Sequence, residues 1–182
     1  MKKSILVFGL ISGAISSLLM TGSMLFADRI GFDHSYFLGY TIIVLSFLLV
    51  FFGIRSYRDN LSNGQITFGK GFTIGICITL ISCVCYIVAW EILYFFFLPD
   101  FMEKYSAHIL QKMQAAGATA AEIQAKVQQL KEYKQLYDNP LTNAAVTFLE
   151  PFPVGLVITL ISAGILRRKP QPKSSQASVA AT

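Results

Sequence analysis

Charge is scarce in this chain: Asp, Glu, Lys and Arg make up 14% of its 182 residues, and 10 of them are acidic. That shortage, set beside 54% apolar residues, 15 Phe and a mean hydropathy of +0.56, excludes an ordinary soluble domain of this length. Histidine is scarcer still. His34 and His108 lie far apart in sequence, and no Cys or His cluster has metal-ligand spacing, so no metal is expected. His34, Glu91 and Glu150 have the right donor types for an ion, but donor type alone is weak support. The three cysteines, Cys77, Cys83 and Cys85, share one apolar stretch. Residues two apart on a helix point about 200° apart, so Cys83 and Cys85 cannot pinch a metal or join in a disulfide, and they read as small packing residues. No nucleophile stands beside a positioned base, which argues against an enzyme, and no cofactor is implied.

What fills the chain instead is four long apolar runs, Ser4 to Ala27, Tyr36 to Ile54, Gly71 to Leu98 and Ala144 to Leu166. Each is close to or above the roughly 20 helical residues needed to cross about 30 Å of hydrocarbon, where only a helix satisfies its own backbone hydrogen bonds. The expected fold is therefore all-α: an integral membrane four-helix bundle forming a single domain over residues 1–169. The tail, residues 170–182, is polar and small, with nothing to bury, and is expected to be disordered.

The net charge of +5 and pI near 9.2 invite a nucleic-acid reading. The basic residues, however, flank the apolar runs rather than lining one polar face, so anionic lipid head groups are the expected partner and nucleic acid is not. Lys2 and Lys3 precede the first run, Arg55, Arg58 and Lys70 separate the second from the third, and Arg167, Arg168, Lys169 and Lys173 follow the fourth. The loop after the first run carries Asp28, Arg29, Asp33 and His34, and the long third connection balances its lysines against acids. The positive-inside rule then puts both termini in the cytoplasm. A secretory signal peptide is the rival for the first run, but its apolar core of about 23 residues is long and Leu25 stands where a cleavage site wants a small residue.

Between Pro99 and Pro140 the composition turns to Gln, Ala, Lys and Glu. Phe101, Tyr105, Ile109 and Met113 recur every four positions, and after Gly117 the series Ile123, Val127, Leu130, Tyr133 and Tyr137 keeps helical spacing. Thr119 with Glu122 reads as a capping box, and Asn139-Pro140 as a stop. The expectation is an extramembrane amphipathic hairpin of two helices, about 16 and about 18 residues long, with the third span running almost straight into the first of them. Such a hairpin serves either as a cap packed on itself or as a docking surface for a partner.

The segments IRSYRDN (Ile54 to Asn60), GQITFGKGF (Gly64 to Phe72), WEILY (Trp90 to Tyr94), PDFMEKY (Pro99 to Tyr105) and EPFPVGLVITLIS (Glu150 to Ser162) together resemble the bacterial DUF4199 family of domains of unknown function. The similarity covers about residues 3–169. The resemblance implies a small four-span inner-membrane protein, typical of Bacteroidota, with no assigned reaction and no catalytic residues to carry over.

A fragment also repeats within the chain: Gly75 to Ser82 and Gly155 to Ser162 share the pattern G-x-x-ITLIS. The two spans run in opposite directions under the topology above, so an inverted repeat is conceivable, as is coincidence in a biased alphabet.

Glu91 and Glu150 are the carboxylates inside the apolar runs, where an ionisable group costs roughly 2.5–3.5 kcal/mol at mid-bilayer on insertion scales. Counted along their helices at about 1.5 Å per residue, both fall toward the outer interface, about 31 Å from Lys70 and about 25 Å from Arg167. They read either as interfacial glutamates reaching for water beside the aromatic belt of Trp90 and Tyr94, or as parts of an outward-facing polar pocket with Arg29, His34 or Tyr86. Pro151 and Pro153 predict a bend or late helix start at that level. The stretch Gly64 to Gly71 matches most of a phosphate-binding loop, but Gly71 replaces the magnesium-binding hydroxyl and no buried strand precedes it. Lipid phosphate held near Arg55, Arg58 and Lys70 is the preferred reading. Gly9-x-x-x-Gly13 and Gly71-x-x-x-Gly75 allow close helix approach, within one bundle or between copies in a homo-oligomer. For function, two expectations remain: a non-enzymatic protein acting by assembly or contact with a membrane-protein partner through its periplasmic hairpin, or a small ion or solute carrier or channel component using Glu91 and Glu150.

Overall fold

A computed structural model describes residues 1–25 and 32–168 of the chain. Arg29 and the tail from residue 170 lie outside the described residues. The elements are α1 (Lys2–Leu25), α2 (Phe32–Leu61), α3 (Phe68–Ile92, prolonged by a π-helical turn Leu93–Phe97), α4 (Phe101–Ala115), α5 (Ala120–Asp138), α6 (Pro140–Phe148) and α7 (Pro151–Leu166). Among the described residues the one trace of strand pairing is an isolated antiparallel bridge between Ile66 and Arg168. The stretches Lys2–Leu25, Phe37–Leu61, Phe68–Phe97 and Pro140–Leu166 are each long and apolar enough to cross a membrane.

What the bundle buries marks its solvent. In α1 the buried positions are Ile5, Gly9, Ser12, Gly13, Ser16, Met20 and Ser23, one stripe at three-to-four spacing rich in small and hydroxylated residues. Ser46, Thr79, Ser82, Thr159 and Ser162 are buried in the other spans. Large apolar side chains point outward instead, with Leu18, Phe96 and Ile165 between two thirds and four fifths exposed. A water-soluble bundle would invert that arrangement. In lipid, which is as apolar as leucine, helices gain from close backbone approach and interhelical hydrogen bonds. Those bonds are present: Ser12 Oγ donates to Ser46 O at 2.8 Å, and Ser82 Oγ donates to Gly9 O at 3.1 Å.

α1 and α7 each pack against both α2 and α3. The glycines provide the approach. A Cβ on Gly9 would lie 2.8 Å from Ile81 Cβ and one on Gly13 2.6 Å from Cys85 Cβ, so both seat α1 on α3 within one molecule. Gly71 meets Ala163 at ordinary contact distance. Cys83 is fully buried and all three cysteines are free.

The repeated fragment packs upon itself. α3 and α7 run antiparallel, with Thr79 Oγ1 and Thr159 Oγ1 3.1 Å apart at the middle of the contact. A Cβ on Gly75 would come within 2.7 Å of Thr159 Cγ2, and a Cβ on Gly155 would collide with Thr79 Cγ2. The glycine of each copy thus receives the threonine of the other, the reciprocity of a two-fold contact.

Three expectations about helix ends change. α2 continues past Ile54 to Leu61 because Arg55 to Asn60 extends the helix beyond its apolar run, with Arg58 reaching Asp59 at 2.7 Å. It ends at a turn where Asn63 and Gly64 take positive φ, a conformation glycine adopts freely. The third span does not run straight into the next helix: its π turn ends at Leu98, which has left helical geometry, and α4 begins anew at Phe101. The fourth crossing starts earlier than Ala144 and is interrupted, α6 stopping at Phe148 and α7 starting at Pro151. Asn139-Pro140 ends α5 and also opens α6, since the Asn139 side chain accepts from the amides of Leu141 and Thr142 and proline fits the first helical position. α7 alone, 16 residues or about 24 Å, falls short of the hydrocarbon thickness, and α6 supplies the rest.

Candidate functional site

At the end of the bundle where α1 and α3 finish and α7 begins, α4 and α5 lie across the helix ends and leave a cavity of about 360 Å³. Tyr86 and Trp90, one turn apart on α3, form its floor together with Met20, Ser23 and Met24 of α1 and Gly39 of α2. α4 contributes Phe101, Met102 and Tyr105, α5 contributes Lys126, Tyr133 and Tyr137, and Thr147 and Glu150 complete the wall from the broken fourth crossing.

The aromatic wall is continuous. The Trp90 and Phe101 rings meet edge to face with centroids 5.2 Å apart, Tyr94 packs on Tyr137 at 5.9 Å, and Phe101 stacks on Tyr105 at 6.2 Å. The Trp90 indole is held from behind. Its Nε1 donates to Asn143 Oδ1 at 2.9 Å, Thr147 Oγ1 donates to the same oxygen at 3.2 Å, and Asn143 Nδ2 donates to Tyr137 O at 3.0 Å. A fully buried amide is thereby used on both sides. Lys134 Nζ reaches Glu103 Oε1 at 3.1 Å and links α5 to α4.

Glu150 is the acidic group on the cavity. Tyr86 Oη donates to its Oε2 at 3.5 Å, long for an O–H···O bond. The carboxylate stands at the N-terminus of α7, where the helix dipole favours negative charge, yet it makes no capping bond. Pro153 removes one of the two amides that a capping side chain engages, and the helical backbone of Glu150 (φ -78°, ψ -60°) is not the extended one of a capping residue. Burial, and behind it the Glu150 charge, raises the Tyr137 phenol above its ordinary value.

Of the residues expected to form a polar pocket, Tyr86 and Glu150 come together. Glu91 does not join them. It lies five residues beyond Tyr86, about 140° round the helix, and one beyond Trp90, so its carboxylate leaves by another face. Its Oε1 is enclosed and has no hydrogen-bond partner among the described residues. His34 is exposed and lies off the cavity, and Arg29 is outside the described residues. Lys126, Tyr133 and Asn143 were not foreseen as parts of a site, although the α5 stripe already contained Tyr133 and Tyr137.

At the opposite end of the bundle, Arg55 Nε lies 3.6 Å from Asp59 Oδ2, and Arg58 makes two bonds to the same carboxylate. Lys70 Nζ sits 5.3 Å above the Tyr57 ring. The start of α3 is capped from within, Thr67 Oγ1 accepting from Lys70 N at 3.4 Å. Both arginines are therefore engaged by one acid, while the end as a whole keeps an excess of positive charge. Among the described residues no group of three or more His, Cys, Asp or Glu converges.

The family model described as a protein of unknown function, DUF4199, matches residues 7–168. The chain belongs to the DUF4199 family. No curated protein and no solved structure matches it. The match covers all of the membrane-crossing candidates but the first five residues of the first, and every described residue on the cavity, so this DUF4199 site lies within the matched region.

Proposed function

We propose that this DUF4199 protein is a non-enzymatic, multi-pass membrane protein that binds a small ligand in the cavity between its bundle and the α4–α5 pair, as a carrier or binding component. The observation that carries this reading is the weakly bonded Glu150 carboxylate beside Tyr86 in a cavity of about 360 Å³, at the low end of the roughly 300–1,000 Å³ of small-molecule sites. Glu150 and Tyr86 take the role that the sequence offered to Glu91 and Glu150 together.

Lys2, Lys3, Arg55, Arg58, Lys70, Arg167 and Arg168 gather at the helix ends remote from the cavity, given the alternating directions of the four crossings. By the positive-inside rule this supports a cytoplasmic location for both termini and a periplasmic mouth for the cavity, in a bacterial inner membrane. The same basic residues would meet anionic lipid.

The test uses the whole protein in nanodiscs. Trp90 is the single tryptophan of the chain and lies on the cavity, so its emission reports occupancy. A broad set of amines, amino acids, carboxylates and sugars should include compounds that change the emission saturably. Gly39→Leu, which adds bulk where a Cβ meets no atom within 4 Å, should abolish the response. A screen with no response in the wild type, or responses that persist in Gly39→Leu, would refute the reading.

A second reading, assembly through the outer face of α5, draws on Leu136, exposed on a helix beyond the membrane-crossing candidates. Glu132→Cys, on α5 one turn from Leu136, should then trap one reproducible neighbour on crosslinking in membranes, and failure to trap any species removes it.

A further inference from the structure

We infer that the cavity takes a zwitterion of the phosphoethanolamine kind, with an ammonium group seated against Glu150 and the aromatic wall and an anionic group toward Lys126. This rests on the ligand-binding reading above and names the chemistry of its ligand.

Three features converge on an ammonium. The carboxylate keeps hydrogen-bonding capacity, since Tyr86 approaches it at 3.5 Å and it makes no capping bond to the start of α7. The rings of Tyr86, Trp90, Phe101 and Tyr137 line the same space, and aromatic faces attract cations within about 6 Å of their centroids. Trp90 has already committed its N–H to Asn143, so the indole offers the cavity its ring and no competing donor.

Lys126 decides between a simple amine and a zwitterion. It stands on α5, a different wall from Glu150, and its Nζ donates to Gln129 Oε1 at 2.9 Å rather than pairing with the glutamate. A lone cation would meet this charge without compensation. A ligand carrying an anion on a short linker satisfies both walls, and a phosphate accepts readily from an ammonium. Phosphoethanolamine occurs free and as the head group of a phospholipid, and the cavity lies at an end of the bundle, where head groups sit.

The experiment reads Trp90 emission in the full chain. In nanodiscs of phosphatidylglycerol alone, soluble phosphoethanolamine should give a saturable change. Alternatively, discs containing phosphatidylethanolamine should show the change without additive, and the two arms separate the free from the lipid source. Glu150→Gln should weaken binding at least tenfold, and Tyr86→Phe should weaken it less, with the far-UV spectrum of each unchanged. Lys126→Gln should weaken phosphoethanolamine but leave ethanolamine unaffected. The proposal is overturned if neither source changes the emission, if Glu150→Gln binds like wild type, or if Lys126→Gln treats phosphoethanolamine as wild type does. Should Glu150→Gln fail to fold, the Tyr86→Phe and Lys126→Gln comparisons still decide. Saturable responses confined to sugars or carboxylates would sink this inference while leaving the binding role intact.

Discussion

Replacing Asn143 by alanine removes the amide that joins three helices at the back of the cavity. Trp90 Nε1 loses its acceptor at 2.9 Å in a buried setting and Tyr137 O its side-chain donor at 3.0 Å in a part-buried one, while the Thr147 hydroxyl loses an acceptor and can turn. A buried polar group left unsatisfied costs about 1–3 kcal/mol. Two such groups give about 2–6 kcal/mol, and the partial exposure of the Tyr137 carbonyl brings the expected loss to the lower half, about 2–4 kcal/mol. Trp90→Phe alone removes only the donor, and Asn143 keeps Thr147, so about 1 kcal/mol is expected from that change. If the two residues are bonded, the double variant should be less damaged than the sum of the singles by about 1 kcal/mol. Reversible unfolding in mixed micelles, followed by far-UV circular dichroism because the fluorophore is removed in two of the variants, measures all four corners of the cycle. Additivity to within about 0.3–0.5 kcal/mol would refute the reasoning, since that is the behaviour of independent sites.

At Gly75, leucine must displace Thr159 Cγ2, which would stand 2.7 Å from the new Cβ, so Gly75→Leu should lose about 1–3 kcal/mol in the same unfolding assay and Thr159→Ala should recover part of it. Equal stability of Gly75→Leu and wild type would contradict the packing described. Thr119→Ala should remove about 1 kcal/mol by uncapping α5. Hydrogen bonds from Thr119 hold the Glu122 carboxylate below its usual range, so its contribution is present above the unfolded value and is lost as pH falls through the lower folded one. Acid titration of helicity should therefore show a loss below about pH 4.3 that is reduced in Glu122→Gln.

The four crossings were legible because the bilayer imposes length and apolarity on any segment that spans it. Their ends were less so, because hydropathy marks hydrocarbon rather than helix: α2 carries on through Arg55 to Asn60, which are polar and helical. Asn139-Pro140 was readable as a stop, but the same pair is also a capped start, and choosing both requires seeing that the next turn buries Asn143. The capping box at Thr119 was readable from adjacent residues alone, and the resemblance to the DUF4199 family from several short segments taken together. For the site, Tyr86 was named with Glu150 as one option beside Arg29 and His34, and Glu91 was grouped with them by chemistry although its helix turns it elsewhere. Lys126 and Tyr133 reach the cavity only because α5 folds back over the bundle end, a tertiary fact that no local spacing encodes.

The interlocked threonines and glycines of α3 and α7 have a bearing on membrane insertion. Their notches and knobs match only when the two helices point opposite ways, and α3 laid beside α3 of a neighbour inserted in the same sense would run parallel and miss the register. A last helix threaded in the wrong direction would likewise find nowhere to seat Thr159. The contact therefore favours the antiparallel arrangement of these two helices over a parallel one.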